Sequence, residues 1–327
     1  MTTAAHLSKT QMKVSVLVIT YNHEAYISQA IGSALAQNVD FDYEIVVGED
    51  FSTDRTREIL EDFQRRYAHK IRLLFRDRNL GDRNNFLQTL QACKGEYVAL
   101  LEGDDYWTSP LKLQKQVDYL DTHAECGMCF HNTQVIYERS ERLSRLRNPP
   151  NQKKHARLKD VITSNFISTC SAMIRRDCLS NLPGWHSEMR LADWSLFIAC
   201  AQQGSIGYLN EVMAAYRVHG AGKWSGLNLD DQLQEVVRHF EKVNSIFNFE
   251  YEKVVRRGLS HAYYSFALKF QQVNETEKAK ACALKSLEQN RFNLRSLVFV
   301  YAPKTFQTLR RLWSWYKQSP ATEIVVH

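Results

Sequence analysis

The chain has 327 residues, of which 44% are hydrophobic and 24% charged, the balance of a globular protein with material for one large domain or a domain plus an appendage. No segment approaches the roughly 18 consecutive apolar residues of a membrane span, and seven scattered cysteines suit reduced thiols rather than a disulfide framework. The net charge of +6 is modest but uneven: residues 139–159 carry eight Lys or Arg against Glu141 alone, and residues 291–327 carry six against Glu323 alone, blocks that suit an anionic surface or ligand or are simply solvated.

Residues 1–13 read as a polar tail, since no apolar run and small-residue cleavage site follow as in a secretory signal. Residues 14–20 form a β-rich apolar run that stops at Thr20-Tyr21-Asn22-His23-Glu24, after which Ile27, Ile31, Ala34 and Leu35 recur at helical spacing. A second strand, residues 43–47, ends in Gly48-Glu49-Asp50, and Ser52 or Thr53 can cap the next helix, whose face holds Ile59, Leu60, Phe63 and Tyr67. A third strand covers residues 71–75 and leads through Asn79-Leu80-Gly81 to a helix with Leu87 and Leu90. A fourth, residues 97–101, ends in Glu102-Gly103-Asp104-Asp105.

Four strand–helix units in succession predict a parallel sheet with helices on both faces. The short apolar run at residues 97–101, bounded by turn residues, fits that burial. Ligands of such sheets sit beyond the carboxyl ends of the strands, so Thr20, Asn22, Glu24, Glu49, Asp50 and Asp104 converge on one crevice. Three crowded acids, Glu102, Asp104 and Asp105, repel one another unless a cation joins them. A hard divalent ion, which takes oxygen ligands and is shared with substrate phosphates, is the natural partner.

Further along, Pro110 opens a helix with Leu113, Val117 and Leu120 inside. Residues 127–137 read as a strand. Cys126 and Cys129, flanked by His123 and His131, resemble half a zinc site, but a second ligand pair at finger spacing is missing and the segment alternates like a strand. Residues 139–159 read as a mobile basic loop. Residues 167–175 return to β character, Asp193 and Trp194 lead into a helix with Leu196, Phe197 and Cys200, and residues 208–218 form a last strand before His219. From about Leu229 the pattern is helical only: one helix carries Leu229, Leu233, Val236, Phe240 and Val243, a second spans residues 262–270, and Asn274 with Glu277 suggests a capping box for a third. Residues 306–317 place Phe306, Leu309, Leu312, Trp313 and Tyr316 beside Arg310, Arg311 and Lys317, a basic helix that either lies on an anionic membrane or packs on its own domain. The expected division is a tail (1–13), an α/β domain (14–226) and a helical C-terminal region (227–327).

Four motifs in order, Val-Ser-Val-Leu-Val-Ile-Thr-Tyr-Asn from Val14, Gly-Glu-Asp-Phe-Ser-Thr-Asp-Arg-Thr from Gly48, Asn-Leu-Gly from Asn79 and Glu-Gly-Asp-Asp from Glu102, resemble the inverting family-2 glycosyltransferases of the GT-A fold over roughly residues 13–225. The resemblance implies a mostly parallel twisted sheet with flanking helices, to which this chain adds an all-helical C-terminal appendage. It implies that Thr20, Tyr21, Asn22 and Glu24 hold a nucleotide, with Asp50 on the base and Asn79 near the donor. Glu102-Gly103-Asp104 stands for the family's Asp-x-Asp, so Glu102 and Gly103 belong to the donor site while Asp104 or Asp105 binds Mn²⁺ or Mg²⁺. His219, with Gly222 and Ser225, resembles a closing motif that brings a histidine to the metal or diphosphate.

The chemistry follows independently. Negative charge that builds on a leaving diphosphate is stabilised by a divalent ion, and the attacking hydroxyl needs a base across the sugar. Asp193, at the start of a helix beside Trp194, is the candidate, its ordinary alternative being a helix cap. A single displacement then inverts the anomeric centre. The Gln-x-x-Arg-Trp signature of processive relatives is absent, so one sugar is expected to pass from a nucleotide-sugar donor, UDP- or dTDP-linked by the Asp50 resemblance, to a saccharide or lipid-linked saccharide acceptor in cell-surface polysaccharide synthesis. The expected location is cytoplasmic, with peripheral contact to the inner membrane face, and nucleic acid is not an expected partner because the basic blocks lack a reading motif. A nucleotidyltransferase would need a Gly-rich phosphate loop near the first strand, and a Rossmann oxidoreductase would need Gly-x-Gly-x-x-Gly; the chain has neither. A binding protein of the same fold without turnover is the rival from another class.

Overall fold

The structure is a computed structural model that describes residues 12–138, 143–180, 182–220 and 222–301, divided into two units between Gly226 and Leu227. The first unit begins with strictly alternating strands and helices: β1 (Val14–Thr20), α1 (Ile27–Leu35), β2 (Tyr43–Glu49), α2 (Thr56–Arg66), β3 (Ile71–Phe75), α3 (Asp82–Ala92) and β4 (Tyr97–Glu102). It continues through β5 (Tyr106–Trp107), α4 (Lys112–Thr122), β6 (Cys126–Tyr137), β7 (Arg145–Leu146), β8 (His155–Ala156), α5 (Leu158–Thr163), β9 (Met173–Arg175), α6 (Arg176–Ser180), α7 (Ala192–Gln203) and β10 (Ser205–Val218). Among the described residues these ten strands form one sheet, ordered β3-β2-β1-β4-β9-β6-β10-β5, with β7 paired to β6 and β8 to β10.

The strands β1 to β4 run parallel, β9 lies antiparallel between β4 and β6, and β6 and β10 are again parallel. Since β1 is flanked by β2 on one side and β4 on the other, the chain reverses its direction of travel across the sheet there. Such a switch point opens a crevice beyond the strand ends. Every residue of β1 except Ile19 is buried, because Ile27, Ala30, Ile31 and Ala34 of α1 share one core with Val14, Val16 and Val18. Each such fully buried Val or Ile side chain contributes about 1.5–3 kcal/mol. Ser15, the polar residue inside β1, is buried without cost to the pattern: its hydroxyl accepts from the N–H groups of Lys94 and Gly95 and donates to Glu44.

Local expectations fail in four places. Ser52 and Thr53 do not cap α2; Ser52 Oγ accepts from Asn22 N–H and Thr53 N–H donates to Asn22 Oδ1, so both are spent on bracing the neighbouring loop, and Asp54 receives the Thr56 N–H at the helix start. Residues 167–175 are strand only at β9, because Thr169–Ser171 coils into a 3₁₀ turn. The basic segment 139–159, in its described part, is not an unpaired loop: β7 and β8 pair with the sheet. Asn274 has φ +63° and does not cap the third helix of the second unit.

That second unit consists, among the described residues, of α8 (Leu229–Ile246), α9 (Glu252–Gln272), α10 (Thr276–Gln289) and α11 (Leu294–Tyr301). Asn228 caps α8 by accepting from Asp231 N–H, and Val236, Phe240, Val243, Val255, Phe266, Phe270 and Ala283 supply its buried side chains. No described helix is long and apolar enough to cross a membrane. The expected tail, apart from Met12 and Lys13, and the basic helix at residues 306–317 lie outside the described residues.

Candidate active site

The crevice is built from loops that follow β1, β2, β4 and β10. Asn22, just past β1, has φ +54°, and Phe51, just past β2, has φ +65°. A left-handed backbone at a bulky residue such as Phe51 costs on the order of 1–3 kcal/mol. Cross-bracing between the two loops holds it. Asn22 receives the Thr53 N–H, Glu24 Oε2 receives the Arg55 N–H, and Glu24 N–H donates to Asp54. Asn22 and Glu24 thus spend their side chains on shaping the loops, while the ring of Tyr21 stays 41% exposed at the rim.

Asp50 is buried, and its Oδ1 accepts the Leu80 N–H at 2.7 Å. That bond ties the end of β2 to the Asn79–Gly81 turn, in which exposed Asn79 accepts the Gly81 N–H. An open cleft lined by Phe75, Arg76, Asp77, Arg78, Leu80 and Gln88 adjoins it.

At the end of β4 the acids separate into distinct environments. Asp104 Oδ2 lies 3.0 Å from His219 Nε2 and 3.8 Å from His23 Nε2. Burial works to raise the Asp104 pKa, but the hydrogen bond from His219 and the two imidazoles together hold it below the usual carboxylate value. His219 is correspondingly raised, chiefly by that hydrogen bond, and its ring packs 4.8 Å from that of Tyr26. His23 is lowered by burial.

Asp105 turns into the protein. Its side chain is 1% exposed and Oδ1 accepts the Arg217 N–H at 2.8 Å; burial and the charge of Asp104 raise its pKa well above the ordinary value. Glu102 is raised similarly, by burial and then by Asp105, Asp104 and Asp193. Glu102 Oε2 and Asp105 Oδ2 have no hydrogen-bond partner among the described residues. Mutually repelling acids with two orphaned oxygens form a site short of positive charge, and such residues fit a divalent cation.

Asp193 is the second residue of α7, whose N-cap is Leu191 without a side-chain cap bond. It is therefore not the ordinary helix cap that the sequence allowed. Its Oδ2 accepts from Asn165 Nδ2 at 3.1 Å. Burial raises its pKa, opposed by the Trp194 N–H, Asn165 and Arg147. The Trp194 indole N–H donates to Val161 O at 2.7 Å and fixes the start of α7 against α5.

Two residues escaped the sequence reading. Arg217, read only as part of a strand, is 8% exposed and clamps the acidic turn, donating from its backbone to Asp105 and from its guanidinium to Asp104 O, with Glu138 as ion partner and the rings of Tyr26 and Tyr106 at 5.0 and 4.7 Å. His23 stood inside a motif already singled out, and its 3.1 Å contact with Thr20 Oγ1 is local, yet its approach to Asp104 depends on the register of β1 against β4. Gly103 makes that approach possible, because a Cβ there would stand 2.5 Å from Thr20 Oγ1 and 2.7 Å from His23 Nδ1. Gly103→Ala is expected to displace both side chains at a cost of about 1–3 kcal/mol of stability, read by chemical denaturation; unchanged stability would show that Thr20 and His23 yield to the added methyl without cost.

A family model described as "Glycosyl transferase family 2" matches residues 15–182. Uncharacterised proteins of Mycobacterium tuberculosis and Mycobacterium bovis are 39% identical over 218 residues, 66% of this chain. The match spans 62% of the length of those relatives. Among solved structures, Staphylococcus aureus TarS (residues 1–349, in complex with UDP-GlcNAc) matches with TM-score 0.58 at 20% identity, covering 85% of this chain and 81% of that one. The mannosyltransferase PcManGT from Pyrobaculum calidifontis, in complex with GDP-Man and Mn²⁺, matches with TM-score 0.62 at 16% identity, covering 93% and 84%. At these identities the two structures speak for the GT-A fold.

Proposed function

The chain belongs to glycosyl transferase family 2, and from that premise we propose that it moves one sugar from a nucleotide-sugar donor to a saccharide or lipid-linked saccharide acceptor, with inversion at the anomeric carbon. The observation that carries this reading is the gathering of Glu102, Asp104, Asp105, Asp193 and His219 at the strand ends, with two carboxylate oxygens that have no hydrogen-bond partner among the described residues.

In this reading Tyr21 and Asp50 receive the nucleoside, with Thr20, Asn79, Glu102 and Gly103 around the rest of the donor, and Asn22 and Glu24 act by shaping the wall. Asp104 and His219 hold Mn²⁺ or Mg²⁺, and Asp105 supports them from inside. A bound divalent ion supplies charge neutralisation for the departing diphosphate. Asp193 accepts the proton of the acceptor hydroxyl as its oxygen bonds to the anomeric carbon and the bond to the diphosphate breaks. Asn165 orients the Asp193 carboxylate. The raised pKa of Asp193 brings it towards the proton affinity that a base needs near neutral pH.

UDP or dTDP is the favoured carrier, resting on Asp50; GDP-Man in the Pyrobaculum mannosyltransferase makes GDP the necessary comparison. Thermal stability with UDP-, dTDP- and GDP-sugars, each with Mn²⁺ and with EDTA, tests the proposal. One nucleotide class is expected to stabilise the protein only with metal, by about 2.7 kcal/mol at a concentration 100 times its Kd. Stabilisation by none of them, or by one regardless of metal, would remove the reading.

A further inference from the structure

Away from the crevice, Glu125, Cys126 and His155 bring a carboxylate oxygen, a thiol and an imidazole nitrogen within 4.8 Å of one another. Cys126 Sγ lies 3.9 Å from Glu125 Oε1 and 3.9 Å from His155 Nδ1. Two elements converge to make the group. Glu125 and Cys126 stand at the start of β6, while His155 arrives on β8, held by antiparallel pairing with Gly207 of β10 and by the Tyr208 N–H donated to Lys154 O. Ser205 N–H donates to Glu125 O and fixes the other side.

The site lies on the opposite edge of the sheet from the candidate active site. β9 is antiparallel to both β4 and β6, so β4 and β6 point the same way; the crevice acids follow the end of β4, whereas Cys126 begins β6. The sequence had suggested a different grouping for these cysteines. Cys129 and His131 do not join Cys126: Cys129 Sγ packs against Gln116 and His131 Nδ1 is bonded to Asn132 O, both buried.

We propose that Glu125, Cys126 and His155 form a second metal site, distinct from the donor site, that binds Zn²⁺ through one oxygen, one sulfur and one nitrogen with solvent completing the tetrahedron. Zinc bonds of about 2.0–2.3 Å put neighbouring tetrahedral ligands roughly 3.3–3.8 Å apart, just inside the two 3.9 Å separations from Cys126 Sγ, so small rotations of the exposed Glu125 and His155 side chains would close the group on an ion, with Cys126 Sγ leaving its 3.3 Å contact with Ser205 Oγ. The thiolate with imidazole and carboxylate is a ligand set for zinc rather than for magnesium or calcium. Glu125 and His155 are exposed, so the ion has a route in, while the Cys126 thiol is buried. Burial raises the Cys126 pKa, and binding a cation offsets that by favouring the thiolate. The consequence is structural: the ion staples β8 to the start of β6 and so anchors the segment that carries Arg147, whose guanidinium donates to Asn165 O beside Asp193.

Titration of the metal-stripped full chain with Co²⁺ tests the site, because only a thiolate ligand gives a sulfur-to-cobalt charge-transfer band. The expected result is a band that saturates at one equivalent in the wild type and in Asp104→Ala, disappears on adding Zn²⁺, and is lost in Cys126→Ser and in His155→Gln. His155 is exposed, so its variant decides the matter if Cys126→Ser does not fold. Absence of the band in wild type at saturating Co²⁺, or its persistence in Cys126→Ser or His155→Gln, overturns the proposal.

Discussion

Asp193→Asn is expected to lower kcat by about 10²–10⁴-fold, the range contributed by a positioned general base, with metal-dependent nucleotide binding unchanged. Asparagine keeps the size and can still meet Asn165, so the fold at the start of α7 should survive; only proton acceptance is removed. The pH profile gives a second readout. A carboxylate acts as base only when ionised, so activity falls as pH drops through the Asp193 pKa, and because burial raises that pKa the acid limb should lie above the usual aspartate range. Asn165→Ala removes a hydrogen bond that favours the ionised form and should move the limb to higher pH. Asp193→Asn activity within a few fold of wild type, or an acid limb that Asn165→Ala leaves in place, would assign the base elsewhere.

Asp104→Asn is expected to lower kcat through a different step. Its loss removes the carboxylate that His219 and His23 hold ionised, and a charge-stabilising group lost from such a site costs about 10²–10³ in kcat. The discriminating comparison is Asp105→Asn. Asp105 is buried, raised well above the ordinary carboxylate range and bonded to the Arg217 N–H; an amide retains an acceptor oxygen for that bond. Asp104→Asn is expected to abolish the stabilisation that nucleotide and Mn²⁺ give together, and Asp105→Asn to preserve it. The opposite pattern, read by thermal shift with and without EDTA, would exchange the roles of the two acids.

Periodicity and turn chemistry made much of the first unit legible. Strands buried in a parallel sheet are mostly apolar, so residues 14–20, 43–47 and 97–101 announce themselves despite Ser15 and Glu44, residues 71–75 form the edge strand and carry Arg72, and the structure extends β2 and β4 by only one or two residues into the polar ends. The fold class followed from that order of strands and helices, because polar residues in such a sheet have few places to go except its carboxyl edge, whereas the family was legible only through the resemblance of the motifs at the strand ends. Capping at Ser52, Thr53 and Asn274 misled because each residue had a competing partner or backbone conformation that only neighbouring elements impose.

The sequence by itself thus determined the layered α/β plan and the clustering of Glu102, Asp104 and Asp105 after the fourth strand, since both depend on local pattern and on which residues end each strand. Tertiary structure alone decided how those acids differ. Asp104 and Asp105 are adjacent and chemically alike, yet one meets His219 and His23 while the other meets Arg217 from β10. The pairing of β10 with β6 and β5, more than a hundred residues after the acidic turn, sets that difference, and the pairing of β8 with β10 brings His155 beside Cys126. Strand order is a long-range property of packing, and the direction of a side chain in a turn follows its neighbours in space rather than its neighbours in sequence.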